Sequence, residues 1–271
     1  MAINKKYIIG VDIGGSKINT VIFNGSQIFK SAKIPTPKNN RKEFLEKLEI
    51  LIKKLVSDIG KKEIYGIGCG IAGVLDLQKG VILNAPNLRF LNNFNVKNWL
   101  EKKFGCEVKI DNDARSFTRA EYLFGAGRGY KNIVGVTFGT GIGGGIIING
   151  KMVYGANDST GELGHMVINE GKDWEALTVK QARKLKFSKI SVEEFKKNLG
   201  IGFSNIVNVL DPEIIIVGGG AAKTVGKFLP KIKTITNKLI ISSKSIKNVK
   251  ILVGKLGEDA GAIGAATLFN I

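Results

Sequence analysis

The segment Ile8–Ile28 reads IIGVDIGGSKINTVIFNGSQI, and the segment Ile133–Val153 reads IVGVTFGTGIGGGIIINGKMV. Placed over each other without a gap, the two segments are identical at seven of 21 positions, and five further positions exchange one apolar residue for another. Each copy predicts a β-branched strand, a glycine-rich turn, a second apolar strand and an Asn-Gly pair. Asn24-Gly25 and Asn149-Gly150 suit type I′ turns, whose two central residues adopt positive φ. The repeat therefore predicts a duplicated β-hairpin.

Two nucleotide-binding motifs match the second copy by letter only. Gly139, Gly141 and Gly144 fit the dinucleotide pattern G-x-G-x-x-G, but that motif opens a helix and a strand-like run follows here. The segment Gly145–Lys151 is similar to a P-loop, but Met152 stands where that motif needs Ser or Thr. We therefore predict neither a Rossmann loop nor a P-loop.

The rest of the chain predicts two α/β lobes. Helical periodicity predicts helices at 44–59, 114–124, 192–209 and 259–268. Short apolar runs predict strands at 64–70, 107–110 and 214–217. No Pro/Ser-rich linker divides the chain, so we expect the lobes to be joined tightly. We place the lobe boundary near Asp113. The N-terminal lobe is then 1–113 and the C-terminal lobe 114–258, and we expect 259–271 to pack back on the first lobe.

Composition limits the class of protein. The chain has 271 residues, of which 44% are hydrophobic, enough for one large domain or two ordinary ones. The longest uncharged stretch, between Lys131 and Lys151, holds seven glycines, so we predict no membrane span there. The apolar run that ends at Asp12 is too short for a signal peptide. Cys69 and Cys106 form no closely spaced pair, which favours reduced thiols in a cytoplasmic protein.

The chain is strongly basic, and a net charge of +18 attracts polyanions. Its lysines concentrate at 42–62, 180–197 and 223–255, and acidic residues accompany them in the first two segments. No zinc finger, basic zipper or ribonucleoprotein motif accompanies them. We therefore interpret the lysines as solvated helix faces and expect no specific nucleic-acid partner. A polyanionic substrate stays open.

Both glycine-rich turns carry groups that bind phosphates. The first glycine turn comprises Asp12, Gly14, Gly15, Ser16 and Lys17. Its glycines let backbone N–H groups approach a phosphate, its hydroxyl can donate to a phosphoryl oxygen, its lysine offsets charge, and its aspartate can hold hydrated Mg²⁺. The second glycine turn comprises Gly139, Thr140 and Gly141. Two ordinary hairpins would explain either turn alone, but the pair favours nucleotide phosphates.

Five motifs now stand in order along nearly the whole chain. They are Asp12-Ile13-Gly14-Gly15-Ser16-Lys17, Asn112-Asp113, Phe138–Gly144, Gly161-Glu162-Leu163-Gly164-His165 and Gly218-Gly219-Gly220. Together they resemble the repressor–ORF–kinase (ROK) family of sugar kinases, in which the last motif is an adenosine-side loop. The resemblance implies the two-lobed actin-like ATPase fold, a ribonuclease-H-like α/β fold with an interlobe cleft. It also implies closure of the two glycine turns on the phosphoryl donor.

The resemblance implies roles for residues of the first lobe. Asp113 matches the catalytic base, which takes the proton of the sugar hydroxyl as that hydroxyl attacks the γ-phosphoryl group. An aspartate at this place also suits the cap of the helix that follows, and it can serve both purposes. Asn112 matches a sugar-orienting amide. Gly73 and Asn87 match further sugar-site positions, although turn chemistry explains Asn87 nearly as well.

In the second lobe, the resemblance implies that Glu162 and His165 bind sugar hydroxyls. The family histidine also ligates a structural zinc, but no cysteine cluster follows His165 here, and a zinc site needs about four ligands. We therefore expect no zinc and a substrate role alone for His165. Glu175 stands where the next sugar-binding glutamate of the family would follow the cluster. The alternative interpretation of Glu175 is a solvent-exposed glutamate on a helix, without a role in sugar binding.

Three functions stay open on this resemblance. The leading one is an ATP- and Mg²⁺-dependent hexose kinase of cytoplasmic carbohydrate metabolism, a glucokinase that would feed glycolysis. The resemblance also implies assembly as a homodimer. The second keeps the kinase but takes inorganic polyphosphate as donor, which short relatives without the cluster use. The third is a sugar-responsive repressor. We disfavour it because eleven residues, too few for a helix-turn-helix domain, precede Asp12, and because Lys17 and Asp113 are retained.

Overall fold

The structure is a computed structural model that describes residues 6–180 and 189–269. The strands are β1 (Tyr7–Ile13), β2 (Lys17–Phe23), β3 (Ile28–Pro35), β4 (Ile64–Ile71), β5 (Val74–Asp76), β6 (Val81–Asn84), β7 (Phe94–Asn95), β8 (Glu107–Asn112), β9 (Ile133–Phe138), β10 (Ile142–Ile148), β11 (Lys151–Met152), β12 (Val167–Asn169), β13 (Lys172–Asp173), β14 (Ile214–Gly218) and β15 (Lys250–Val253). The helices are α1 (Arg41–Val56), α2 (Val96–Phe104), α3 (Asp113–Phe124), α4 (Lys189–Leu210), α5 (Ala222–Leu239), α6 (Ser243–Asn248) and α7 (Ala260–Ala266). Within these described stretches, no helix has both the length and the apolar run that a bilayer crossing needs.

The predicted helices and strands are present, with small shifts at their ends. The C-terminal helix ends at Ala266, two residues early, because the chain tightens there into a 3₁₀ turn, Thr267–Phe269. The lysine-rich segment 180–197 lies partly outside the described residues.

Two five-stranded sheets repeat one topology. Their strand orders are β3-β2-β1-β4-β8 and β11-β10-β9-β14-β15. In each, the central strand forms an antiparallel hairpin on one side and a parallel pair on the other. The bounds of β2 and β10 coincide under the same shift that aligned the two sequence copies. The duplicated hairpin is therefore confirmed, and the G-x-G-x-x-G match leads into strand β10 rather than into a helix.

The two Asn-Gly turns differ from each other. Asn149 has φ 51° and Gly150 has φ 77°, as the predicted type I′ turn between β10 and β11 requires. In the first copy Gly25 has φ 95°, but Asn24 keeps a negative φ. There the Asn24 side chain accepts the N–H of Gln27 at 2.9 Å and closes a four-residue loop. The type I′ prediction for Asn24-Gly25 is therefore wrong, because this side-chain bond replaces the two-residue turn.

The chain forms two compact units, each with one of the five-stranded sheets. The first unit comprises the chain through Ala120, the segment Tyr154–Ser159 and the chain from Asp259 onward. The second unit comprises Glu121–Val153 and Thr160–Glu258. The expected lobe boundary concerns folding domains and stays a prediction.

Helix α7 packs on the first sheet backbone against backbone. Its sequence is Ala-Gly-Ala-Ile-Gly-Ala-Ala, and every residue of it is buried. Opposite the helix, β1 and β4 present Gly10 and Gly68, where a Cβ would overlap the carbonyl oxygens of Ala262 and Ala265 respectively. Small residues on both sides let the helix lie this close to the sheet. This contact fixes the carboxyl end of β1, which carries Asp12.

Replacing Gly10 with alanine is expected to lower the free energy of unfolding by about 3 kcal/mol, because the new methyl group forces helix and strand apart. Chemical denaturation followed by circular dichroism measures this change. Gly220→Ala is the matched control, since no heavy atom of the described residues lies within 4 Å of a Cβ there. Equal stability of the two variants would contradict the close packing of α7.

Candidate active site

The hairpin of β1 and β2 holds the first glycine turn at the carboxyl end of β1. The N–H of Gly14 donates to the carbonyl of Lys17 at 3.1 Å and closes the turn. Thr36, just after β3, donates its hydroxyl to the Gly14 carbonyl at 2.7 Å and its N–H to the Ser16 carbonyl at 3.1 Å. The turn is therefore fixed through its own carbonyls, and a ligand would meet its backbone N–H groups and the exposed Ser16 hydroxyl.

Asn112 joins the start of helix α3 to a neighbouring turn. Its Oδ1 accepts the N–H groups of Ala114 at 2.9 Å and Arg115 at 3.2 Å, which is the pattern of an N-cap. Its Nδ2 donates to the carbonyl of Gly73 at 3.2 Å. Asp113 also accepts the N–H of Ala114 at 2.9 Å, so capping is shared and Asn112 has the larger part.

Two further predicted sugar-site residues lie close to these elements. A Cβ at Gly15 would lie 2.8 Å from the Cβ of Asn87, so the first glycine turn packs against that asparagine. Gly73 has φ 146° and faces the carbonyl of Asn84, a conformation and a contact that both require glycine. The first unit thus brings Asn87 to the glycine turn and Gly73 to Asn112.

Asp12 lies in a crowded electrostatic environment. A Cβ at Gly261 of α7 would lie 2.5 Å from Asp12 Oδ2, so the helix covers one side of the carboxylate. Desolvation, and after it the negative charge of Asp113, raises the pKa of Asp12 to about 7, while Lys17 acts in the opposite direction. Two carboxylates thus interact at the ends of β1 and β8. A divalent cation would relieve their repulsion, so the site fits hydrated Mg²⁺.

A buried charge network beside the predicted base was not found from the sequence. Asp111 is fully buried and pairs with Arg115 Nε at 2.6 Å and Arg119 Nη2 at 2.8 Å. Arg119 also donates to the Tyr154 hydroxyl at 2.6 Å, and Arg115 donates to the carbonyl of Asp158 at 2.8 Å. The network holds the segment Tyr154–Ser159 on helix α3. The sequence signal was an aspartate at the end of a strand, followed four and eight residues later by arginines that share one face of the next helix.

In the second unit, the second glycine turn and the loop Gly218–Gly220 are neighbours. The N–H of Gly139 donates to the carbonyl of Gly141 at 2.9 Å. Gly219 has φ 80° and lies against the backbone of Phe138, where a Cβ would come within 2.5 Å of the carbonyl oxygen. No heavy atom of the described residues lies within 4 Å of a Cβ at Gly139 or at the last glycine of the loop. Each segment therefore has one glycine, Gly139 and Gly220, whose Cβ position is unoccupied by the described residues.

The segment Gly161–His165 packs on strand β10 through glycines. Gly144 of β10 faces Gly161, and Gly164 faces the carbonyl of Ile142, with no room for a Cβ at any of the three glycines. The glycines of β10 therefore allow a close approach of backbones rather than phosphate binding. The glutamate and the histidine of this segment are placed beside the strand that leaves the second glycine turn.

Glu175 is not the exposed helical glutamate that was its alternative. Its Oε2 accepts the N–H of Ile142 at 2.7 Å and fills the space in front of Gly141. Two residues before it, Asp173 Oδ2 lies 3.4 Å from Nδ1 of His165. The segment 173–175 thus contacts both His165, through Asp173, and the second glycine turn, through Glu175.

The residues around His165 do not fit the zinc that the resemblance implies. Both cysteines, Cys69 and Cys106, belong to the first unit, whereas His165 belongs to the second. Over residues 6–180 and 189–269, no three His, Cys, Asp or Glu side chains form a group that could hold a metal ion. The absence of zinc stays a prediction.

The sequence model of the ROK family matches residues 8–179 and 169–271. The chain belongs to the ROK family. Glucokinase from Halalkalibacterium halodurans is 28% identical, over 97% of this chain and 94% of that protein. N-acetyl-D-glucosamine kinase from Haemophilus influenzae is 27% identical, over 96% and 98%. The xylose repressor from Caldicellulosiruptor bescii is 28% identical, over 96% of this chain and 77% of the repressor.

Solved structures agree with this assignment. A ROK family glucokinase from Streptomyces griseus, in complex with glucose and AMPPNP, has a TM-score of 0.84 at 25% identity, with 97% of this chain and 98% of that chain covered. The inorganic polyphosphate/ATP-glucomannokinase from Arthrobacter sp. strain KM has a TM-score of 0.76 at 27% identity, with 97% of both chains covered. The ROK chain described here therefore has the expected actin-like ATPase fold of ROK sugar kinases.

The purified protein is expected to contain no stoichiometric zinc and to keep its thermal unfolding midpoint after chelator treatment, because His165 lacks the partners of a zinc site. Elemental analysis and thermal melts measure the two quantities. One zinc per chain, lost together with the fold, would show that other residues supply the ligands.

Proposed function

We propose that this ROK chain is a sugar kinase that transfers the γ-phosphoryl group of ATP to a hydroxyl of a hexose, with glucose as the leading substrate. The observation that carries the proposal is the pair of interacting carboxylates, Asp12 and Asp113, at the carboxyl ends of β1 and β8, the two strands that flank β4 in the first sheet. Asp12 lies near the end of β1, just before the glycines of the first glycine turn, and Asp113 is the first residue of helix α3. This arrangement supplies a cation site and a general base together.

Each carboxylate has a separate task in the proposed reaction. Asp113 accepts the proton of the sugar hydroxyl as its oxygen bonds to the γ-phosphorus, and the bond from that phosphorus to the bridging oxygen breaks to release ADP. Asp12 would hold Mg²⁺ through water, and the cation would neutralise charge on the β- and γ-phosphates. Lys17 adds a further positive charge beside them. In the second unit, the space at the Cβ positions of Gly139 and Gly220 suits the nucleotide.

The relatives support a sugar as the acceptor. Glucokinases and an N-acetyl-D-glucosamine kinase cover nearly the whole chain, and the neighbour from Streptomyces griseus holds glucose and an ATP analogue. Glu162, His165 and Glu175 are the proposed sugar-binding residues of the second unit, and Gly73, Asn87 and Asn112 those of the first. Assembly as a homodimer and a place in the cytoplasm stay predictions.

Inorganic polyphosphate is the second candidate donor, and one feature of the chain favours it. Between residues 214 and 257 the sequence has nine lysines and no Asp or Glu. Lys223, Lys227 and Lys231 are exposed at helical spacing on α5, which follows the Gly218–Gly220 loop directly. A face of this charge would attract an extended polyanion. One structural neighbour, the inorganic polyphosphate/ATP-glucomannokinase, is named for both donors.

A phosphorylation screen that crosses hexoses and N-acetylated hexoses with ATP and polyphosphate tests the proposed function. Turnover of glucose with ATP is the expected result. Turnover with polyphosphate alone would replace the donor and keep the sugar kinase. Sugar binding without phosphorylation by either donor would contradict the proposal and favour a regulator.

Asp113→Asn is expected to lower kcat by about a hundredfold or more, because an amide cannot accept the proton that the sugar hydroxyl loses. The amide keeps the shape of the side chain, and Asn112 retains the larger part of the cap, so the unfolding midpoint should stay close to that of the wild type. Steady-state kinetics with ATP and the preferred sugar measure the effect. Turnover near the wild-type rate would exclude Asp113 as the base.

Gly139→Ala is expected to raise the KM for ATP roughly tenfold, a loss of about 1.4 kcal/mol, while stability and sugar affinity stay unchanged. The reason is that its Cβ meets no described residue and would obstruct only a bound ligand. Gly141→Val is the contrasting variant, since its side chain must displace Glu175. It should disturb stability or sugar affinity as well. If Gly139→Ala binds nucleotide normally, the second glycine turn does not hold the donor.

A further inference from the structure

We propose that Asp173 is a positioning residue for the sugar side of the second unit, where one carboxylate orients His165 and at the same time caps the turn that carries Glu175. Its consequence for sugar binding rests on the proposed function. The proposal itself rests on the two oxygens of Asp173, each of which faces a different partner.

The first carboxylate oxygen of Asp173 faces His165. Asp173 Oδ2 lies 3.4 Å from His165 Nδ1, a separation at the long end of hydrogen bonds and of the kind that shortens when a site is occupied. A carboxylate at this position accepts a hydrogen bond from a protonated Nδ1, and so fixes the imidazole tautomer and the orientation of the ring. The other ring nitrogen, Nε2, is then the acceptor for a sugar hydroxyl. The imidazole is 62% exposed, so a substrate can reach it.

The second oxygen holds the start of the next turn. Asp173 Oδ1 accepts the N–H of Ala176 at 2.6 Å, in the manner of a helix cap. Glu175 lies between these two residues, and its own carboxylate accepts the N–H of Ile142 at the second glycine turn. The cap therefore fixes the position of the backbone at Glu175, and with it the direction in which the Glu175 side chain reaches strand β10.

A buried aromatic cluster fixes Asp173 itself. The next residue, Trp174, is fully buried, and its indole N–H donates to the carbonyl of Asn198 at 2.9 Å. Its ring makes edge contacts with Phe138 and Phe203, at centroid distances of 5.7 Å and 5.6 Å. Phe138 directly precedes the second glycine turn. Asp173 is thus attached to a rigid part of the core and does not depend on a metal ion for its position.

This arrangement gives a physical basis for the prediction that His165 binds no zinc. A metal ion would orient the histidine through one ring nitrogen and tie together the segment that follows it. Here the carboxylate of Asp173 orients the same imidazole, and the ring of Trp174 anchors the segment in the core. The carboxylate and the aromatic ring would thus serve the two purposes of a metal ion, to orient the imidazole and to anchor the segment that follows it.

The test combines a spectrum with a substitution. His165 is the single histidine of the chain, so the ¹⁵N signals of labelled imidazole need no assignment. Asp173→Asn offers one acceptor oxygen where the carboxylate offers two, so when that oxygen caps Ala176 its Nδ2–H group faces His165 and favours an unprotonated Nδ1. Asp76→Asn is the matched control, because Asp76 is similarly exposed, at 24% against 26%, and its Oδ1 caps the N–H of Lys79 at 2.9 Å.

For neutral imidazole in the full-length wild type, we expect the tautomer protonated on Nδ1. Asp173→Asn should shift the signals toward the Nε2-protonated form and raise the KM for the sugar about tenfold. The kcat should change by less than about threefold, the KM for ATP should hold, and Asp76→Asn should leave all four quantities unchanged.

Two results would overturn the proposal: a wild-type imidazole protonated on Nε2, or a sugar KM in Asp173→Asn within about twofold of the wild type. The spectrum needs no substitution and no activity. If the wild type phosphorylates no sugar, the proposed function fails, while the tautomer still decides whether Asp173 orients His165.

Discussion

The contact of helix α7 with the glycines of β1 and β4 is the constraint on which the rest of the first unit depends. Because Gly10 and Gly68 lack side chains, the helix backbone lies directly on the sheet, and Gly261 comes to rest against the carboxylate of Asp12. That carboxylate is desolvated as a result and shares its surroundings with Asp113, which raises its pKa to about 7. A structural contact thus produces the electrostatic property that a cation and a phosphate chain would use.

Glycine has two different tasks in the second unit. Gly144, Gly161 and Gly164 remove side chains so that the segment with Glu162 and His165 can lie on strand β10. At Gly139 and the last glycine of the 218–220 loop, an added Cβ would instead point into space that no described side chain or backbone segment fills. The glycines in close backbone contact bring the proposed sugar-side and donor-side segments together. The glycines with open Cβ positions leave room for a bound ligand. The distinction cannot be made from glycine content, since both kinds occur in the same motif.

The sequence predicted the fold well where a local pattern decides the structure. The duplicated hairpin and the turn at Asn149-Gly150 follow from spacing and from the positive φ that this turn needs. The turn at Asn24-Gly25 did not follow, because a side-chain hydrogen bond selected another loop. Asn112 as the main cap and the pairing of buried Asp111 with two arginines are contacts within eight residues, so their signals were present in the sequence but were not used. The bond from Glu175 to β10 instead joins residues 33 positions apart. No local pattern reports such contacts.

A crystal structure of the protein with its sugar bound tests the central claim, that Asp113 takes the proton of the acceptor hydroxyl. The account predicts one sugar hydroxyl oxygen at about 2.6–3.2 Å from a carboxylate oxygen of Asp113, the reach of a general base. A sugar bound with every hydroxyl beyond hydrogen-bond distance of that carboxylate, in a complex that still turns over in the crystal, would contradict it.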